Sequence, residues 1–66
     1  MKPLRLAVVG LGWIGRKHTQ LIVEHDDCLL VGLCDADDHH AAVAREFGVP
    51  FHTDIEQLLE NEAVEG

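Results

Sequence analysis

The chain has 66 residues, of which 47% are hydrophobic and 26% are charged, and its formal net charge is −7. This length excludes more than one domain, and the negative charge disfavours nucleic acids and membranes as partners. The apolar stretch near the N-terminus is too short for a secretion signal or a membrane span. Cys28 and Cys34 lie too far apart on one predicted strand to form a disulfide. These features predict a cytoplasmic protein with free thiols.

The first predicted strand, Leu4 to Val9, leads into a turn with the spacing Gly-x-Gly-x-x-Gly. A nearly continuous apolar run of this kind is typical of a parallel sheet. In dinucleotide-binding proteins the three glycines allow a sharp turn, close approach of a pyrophosphate and tight packing of the next helix. That helix offers free N–H groups and the positive end of its dipole. The cofactor-binding residues predicted in this turn are Gly10, Leu11, Gly12, Trp13, Ile14 and Gly15.

The first helix is predicted from Trp13 to about Glu24. Helical spacing places one set of residues on a common face, which we expect to contact the sheet. This set is Ile14, His18, Leu21, Ile22 and His25. We expect His18 to pack against the sheet and not to act as a general base. Trp13 is expected to lie beside the cofactor or under a neighbouring domain, and a place in an aromatic core is the open alternative.

The second predicted strand, Cys28 to Cys34, ends at Asp35. The acid that binds the adenosine ribose in dinucleotide-binding folds lies about 20 residues past the glycine turn, as Asp35 does. The alternative is a turn residue at a strand end or a helix cap. A ribose-binding carboxylate repels a 2′-phosphate, and Asp37 and Asp38 add to this repulsion. The sequence therefore predicts NAD as the cofactor and disfavours NADP.

The second helix is predicted from about His39 to Phe47, with Asp37 or Asp38 as its N-cap and Gly48 after its last turn. We expect His39 and His40 to form a solvated pair at the start of this helix. No spacing of histidines and cysteines matches a known metal-ligand pattern, so no metal site is predicted.

A short third strand is predicted within Val49 to His52, followed by a helix that ends near Asn61. Thr53 and Glu56 match a capping box at the start of this helix. The residues of the helix predicted to point inward are Ile55, Leu58 and Leu59. Residues 63–66 are predicted to form a turn or the approach to a further strand.

The element order β-α-β-α-β-α predicts an α/β fold, a partial Rossmann fold with a doubly wound parallel sheet. Strand 1 of such a sheet normally lies between strands 2 and 4, and strand 4 onward is lacking here. An apolar strand edge would then be exposed, which proteins normally avoid. We therefore expect residues 1–66 to be the N-terminal part of a dinucleotide-binding domain, without a catalytic or substrate domain. The exposed edge also predicts a homo-oligomer.

Residues Arg5 to His18 resemble the start of the glucose–fructose oxidoreductase / inositol dehydrogenase (Gfo/Idh/MocA) family. The similarity continues through Leu30–Asp35, Ala44–Pro50 and Thr53–Leu59. The resemblance implies an NAD(P)-dependent dehydrogenase of sugars, inositols and related polyols. It also implies that backbone groups of Leu11 to Ile14 bind the pyrophosphate and that Asp35 binds the adenosine ribose. The family's Glu-Lys-Pro motif, which carries the catalytic lysine, has no counterpart in this sequence, so no catalytic residue is predicted.

The main functional hypothesis is an NAD-binding segment of an oxidoreductase that transfers hydride between a nicotinamide cofactor and a sugar or polyol. The segment itself is not expected to be catalytic, and the substrate would bind only in a longer parent. One alternative is a Rossmann module that senses a nucleotide. The other is a truncated, inactive piece that associates with itself through the open strand edge.

Overall fold

The computed structural model describes residues 3–66, in which three strands alternate with three α-helices. The elements are β1 (Leu4–Val9), α1 (Trp13–Glu24), β2 (Cys28–Cys34), α2 (Ala41–Phe47), β3 (Phe51–His52) and α3 (Ile55–Asn61). The predicted order is confirmed, and the bounds of β1, α1 and β2 agree with the prediction. The second helix differs because a 3-10 turn, Asp38–His40, precedes α2. Within residues 3–66 no helix is long and apolar enough to cross a membrane.

All three strands are parallel and pair in the order β1-β2-β3, with β2 in the centre. Val9 lies opposite Cys34, and Cys34 lies opposite His52. The carboxyl ends of the strands therefore meet at one end of the sheet, where ligands bind in open α/β folds. This is a partial α/β Rossmann-like fold in which β1 is an edge strand of the sheet.

The core forms around β2, which is buried from Leu30 to Cys34. One cluster of buried residues joins the sheet to the helices; it consists of Val8, Leu11, Leu30, Leu33, Val43 and Ala44. Leu58 of α3 lies outside this cluster and packs on Gly32, where a Cβ would collide with the leucine side chain. The central strand is therefore covered, whereas only Val8 is buried in β1.

The last residues of the chain run along the outer edge of β1. The N–H of Glu65 donates to the carbonyl of Arg5 over 2.7 Å, and the N–H of Ala7 donates to the carbonyl of Gly66 over 2.9 Å. The Arg5 side chain also donates to the carbonyl of Ala63 over 2.7 Å. Residues 65 and 66 thus begin to pair with β1, which agrees with the predicted approach to a strand.

The predicted inward face of α1 is wrong except for Ile22, which is half-buried against the core. Leu21 is 56% exposed, and the helix instead buries Thr19, whose hydroxyl donates to the Gly15 carbonyl over 2.8 Å. The reason is the close approach of the helix at Gly15, which turns the small residues toward the sheet. Ile14, His18 and His25 are exposed.

Helix α3 shows a similar difference. Leu58 is buried as predicted, but Ile55 and Leu59 are exposed beside the margin of β1. Its N-cap is Asp54 and not Thr53, because the Asp54 carboxylate accepts from the N–H of Glu56 over 2.9 Å. The prediction placed the cap one residue too early.

The ends of the second helical segment agree with the prediction. The Asp37 carboxylate accepts from the N–H of His39 over 3.0 Å, which makes Asp37 the cap. Gly48 closes α2 in the left-handed conformation, with φ of 70°. Such a C-terminal glycine avoids the steric strain that a Cβ would introduce.

Candidate functional site

The glycine turn between β1 and α1 is the first part of the site. Gly10 has φ of 91°, a conformation that favours glycine, and its N–H donates to the Cys34 carbonyl over 2.8 Å. A Cβ on Gly15 would overlap the carbonyl oxygen of Gly10. A Cβ on Gly12 would meet no atom within 4 Å. The first and third glycines therefore serve the protein's own packing, and the second leaves open space above the loop.

The N-terminus of α1 lies directly below that open space. Gly12 is its N-cap and supplies no side-chain hydrogen bond, and the first turn has no acidic residue. In contrast, the 3-10 turn and α3 are capped by the carboxylates of Asp37 and Asp54. The first N–H groups of an α-helix have no partner within the helix and carry a partial positive charge. This end of α1 is therefore suited to bind an anion.

Asp35 follows β2 and is held against the glycine turn. Its Oδ2 accepts from the N–H of Leu11 over 2.6 Å, and its Oδ1 accepts from the N–H of Asp37 over 2.8 Å. The carboxylate is thus both a turn residue at the strand end and a link to the loop. The fold brings Asp35 together with the turn Gly10–Gly15, although 24 residues separate Asp35 from Leu11.

His40 is a third partner of this carboxylate, and the sequence did not point to it. Its Nδ1 lies 2.8 Å from Asp35 Oδ2, and its side chain is 34% exposed. The expectation of a solvated pair is therefore wrong for His40, whereas His39 is exposed. The available signal was the Asp35-x-Asp37 turn, which folds the chain back and carries His40 to Asp35.

The hydrogen bonds to Asp35 hold its carboxyl group ionised. The backbone N–H groups of Asp37 and Leu11, followed by the His40 side chain, lower the pKa of Asp35 from 3.8 to about 2. Since an ionised carboxylate can only accept, Nδ1 of His40 carries the proton in their hydrogen bond. Burial raises the pKa of the nearby Cys34 thiol, and the carboxylates of Asp54 and Asp35 add to this effect. Cys34 is therefore poorly suited to act as a nucleophile.

An open groove of about 650 Å³ lies on the other side of the glycine turn, next to β1. It is lined by Val8, Val9, Gly10, Gly12, Trp13, Ile14, Gly15 and His18. Trp13 is 78% exposed, which excludes the aromatic-core alternative, and the Lys17 ammonium lies 5.5 Å from the centre of its ring. His18 lines this groove as an exposed residue, so the expectation that it packs into the sheet is wrong.

The sequence model of the Gfo/Idh/MocA family, an oxidoreductase family with an NAD-binding Rossmann fold, matches residues 4–66. The chain belongs to this family. Searches of curated proteins and of solved structures found no match. Membership in the Gfo/Idh/MocA family supports binding of a nicotinamide dinucleotide, and the parallel sheet with its glycine turn agrees with the family's fold.

The residues of this Gfo/Idh/MocA chain fit such a cofactor. The space above Gly12 is open to a phosphate, and among residues 3–66 no side-chain cap occupies the start of α1 beneath it. Leu11 differs from the other predicted pyrophosphate donors, because its N–H already donates a hydrogen bond to the Asp35 carboxylate. The N–H groups of Gly12, Trp13 and Ile14, at the start of α1, are the donors that would face a pyrophosphate.

Proposed function

We propose that the chain binds NAD across the glycine turn, as the NAD-binding segment of an oxidoreductase that transfers hydride between the nicotinamide and a sugar or polyol. The observation that carries this proposal is the 2.6 Å hydrogen bond between Leu11 N–H and Asp35 Oδ2. It fixes a carboxylate beside the loop, and in dinucleotide-binding folds the acid that follows the second strand binds the adenosine ribose.

The proposed arrangement assigns one part of the dinucleotide to each part of the site. The pyrophosphate lies over Gly12 and accepts from the first N–H groups of α1. The adenosine ribose donates a hydroxyl to Asp35, while Leu11 positions that carboxylate. The nicotinamide end points toward the groove beside β1, which Trp13 and His18 line.

Charge supports NAD over NADP in this arrangement. The ionised Asp35 carboxylate would face a 2′-phosphate, and Asp37 and Asp38 lie on the same turn. Like charges at such short range disfavour binding by several-fold at least. Arg45 lies further along, on α2, and is exposed.

The hydride chemistry of the proposed enzyme belongs to a longer parent. Bound nicotinamide supplies the hydride donor or acceptor, and the sugar or polyol class follows from the family resemblance. The residues of this chain bind and orient the adenosine and pyrophosphate end. We propose that the chain itself is not catalytic and that the parent works in the cytoplasm, in keeping with the free thiols of Cys28 and Cys34.

Calorimetric titration of NAD and NADP into the 66-residue chain, and into any longer chain that contains it, tests the proposal. Asp35→Asn removes the charge from the proposed ribose ligand, and Asp38→Asn removes a charge from an exposed neighbour. We expect the ratio of the NADP to the NAD dissociation constant to fall about tenfold in Asp35→Asn, equivalent to roughly 1.4 kcal/mol. The ratio should fall by less in Asp38→Asn, because Asp38 adds to the repulsion but is not the proposed ribose ligand.

Three outcomes would contradict parts of this proposal. If folded wild-type protein binds neither nucleotide, the chain does not form the adenosine and pyrophosphate site. If a longer parent binds NAD but oxidises no sugar or polyol, the proposed substrate class is wrong. A nucleotide preference that is equal in wild type and Asp35→Asn would remove Asp35 from the role of ribose ligand.

A further inference from the structure

The carboxylate of Asp35 has few free acceptor positions left for a ligand. Its two oxygens offer about four lone-pair positions in total. Oδ2 accepts from both Leu11 N–H and His40 Nδ1, and Oδ1 accepts from Asp37 N–H. One position on Oδ1 remains. A ribose that donates to both carboxylate oxygens therefore needs His40 to release Oδ2.

The two backbone donors cannot leave without unfolding the loop, whereas the His40 side chain can rotate away. The N–H groups of Leu11 and Asp37 belong to the glycine turn and the strand-end turn. The His40 side chain is 34% exposed and reaches Asp35 from the 3-10 turn before α2. Of the three partners, His40 is therefore the one that a ligand could displace.

Charged groups around His40 are mainly acidic. The Asp35 carboxylate contacts the His40 ring. The Asp37 carboxylate also lies near His40, and a positive charge on His40 contributes to the lowered pKa of Asp37. Asp38 and His39 belong to the same 3-10 turn, and Arg45 and Glu46 lie further along α2. The glycine turn contributes Leu11, which has no titratable side chain. Protonation of His40 therefore places a positive charge directly beside the proposed ribose ligand.

We propose that His40 determines nucleotide specificity, because its imidazole competes with the ribose for Asp35 Oδ2 and its charge sets the balance between NAD and NADP. This inference rests on the proposed role of Asp35 as the ribose ligand. It assigns to His40 a positioning and selecting role at the adenosine end of the cofactor, and no role in hydride transfer.

Protonation changes the two affinities in opposite directions. A protonated His40 holds Oδ2 more tightly, because the hydrogen bond becomes an ion pair, and this weakens binding of an unphosphorylated ribose. The same charge offsets that of Asp35 and so reduces the repulsion of a 2′-phosphate. The ratio of the NADP to the NAD dissociation constant should therefore be lower when the imidazole is protonated than when it is neutral.

The experiment compares this ratio at about pH 8.5 and about pH 5.5 in wild type, His40→Asn and His39→Asn. The 2′-phosphate itself takes up a proton near pH 6, which changes the ratio in every variant, so the comparison between variants isolates the imidazole. His39→Asn is the matched control, because the neighbouring imidazole contacts Asp37 and not Asp35. His40→Lys places a fixed positive charge at the same position.

We expect the fall in the ratio to be about fivefold larger in wild type and His39→Asn than in His40→Asn. In His40→Lys the ratio should already be low at about pH 8.5. Protonation of the 2′-phosphate should then be the only cause of a further fall at lower pH. Equal pH dependence in wild type and His40→Asn, with NAD bound by both, would overturn the inference and leave the proposed function intact. Loss of binding of both nucleotides by folded wild-type protein would overturn both.

Discussion

At the scale of single residues, the glycines of the turn differ in what a side chain would meet. A Cβ on Gly15 would overlap the Gly10 carbonyl, which is backbone and cannot rotate away. Gly12 has φ of −62°, which alanine adopts freely, and open space surrounds its Cβ position. The protein's own packing therefore requires Gly15, whereas a Cβ at position 12 would meet no atom of the described residues and would fill only the proposed pyrophosphate site.

Alanine substitutions at these two positions should separate folding from binding. We expect Gly15→Ala to lower the free energy of unfolding by at least about 2 kcal/mol, since α1 must move away from the loop. Gly12→Ala should lower it by less than about 1 kcal/mol but weaken NAD binding at least about tenfold, because its methyl group fills the space over the helix end. Urea unfolding and calorimetric titration measure the two effects. A Gly12→Ala variant with wild-type affinity would place the pyrophosphate elsewhere.

Asp35 should also give the chain a characteristic response to acid. Its pKa lies at about 2 in the folded chain, below the ordinary value of 3.8, so its ionised form stabilises the folded state above about pH 4. This contribution is lost as the pH falls from about 4 to about 2. The stability difference between wild type and Asp35→Asn should therefore be constant near neutral pH and shrink over that window. Denaturant unfolding at several pH values measures it, with Asp38→Asn as the control for lost charge.

The sequence predicted the glycine turn and Asp35 because their spacing along the chain reflects their function. It did not point to His40 or to the engaged N–H of Leu11. The His40 contact depends on where the Asp35-x-Asp37 turn sends the chain, and the Leu11 contact depends on the register of β1 with β2. Local patterns contain no information on such a contact until the turn geometry is known.

At the scale of elements, the strands were predictable because each is a run of apolar residues between clear turn signals. The inward face of α1 was not predictable, because hydrophobic periodicity assigns the buried face of a helix from its apolar side chains alone. Here the backbone contact at Gly15 decides the orientation and places Thr19 in the core. Two exposed apolar residues of α1, Ile14 and Leu21, line hollows beside β1 instead.

The start of α3 offers a test of helix capping at the scale of an element. Asp54 accepts from the N–H of Glu56, whereas the adjacent Thr53 lies outside the helix. We expect Asp54→Ala to destabilise the chain by about 1 kcal/mol, and Thr53→Ala by less than about 0.5 kcal/mol. Thermal unfolding followed by circular dichroism distinguishes the two. Equal effects would show that the cap is shared.

At the scale of the whole molecule, apolar surface collects along one side. Leu21 of α1 and Leu59 of α3 are each 56% exposed, and both line hollows beside β1. Residues 65 and 66 pair with β1 only as far as Ala7. An incompletely paired edge strand flanked by exposed apolar side chains favours self-association of the chain.

We expect the isolated 66-residue chain to be marginally stable and to associate with itself as its concentration rises. The double variant Leu21→Lys and Leu59→Lys places a charge on each side of β1 and should remain monomeric at the same concentrations. Sedimentation velocity measures both. A well-folded wild-type monomer at high concentration would contradict this expectation.

The hydrogen bonds from Gly10 to Cys34 and from Leu11 to Asp35 tie the glycine turn to the end of β2 through the protein's own groups. Ordering a loop on binding would cost about 1–2 kcal/mol for each residue fixed. Here that entropy is lost when the chain folds, before a ligand arrives. Nucleotide association should therefore proceed in a single kinetic step with a rate proportional to ligand concentration, and not through a slow closure of the loop.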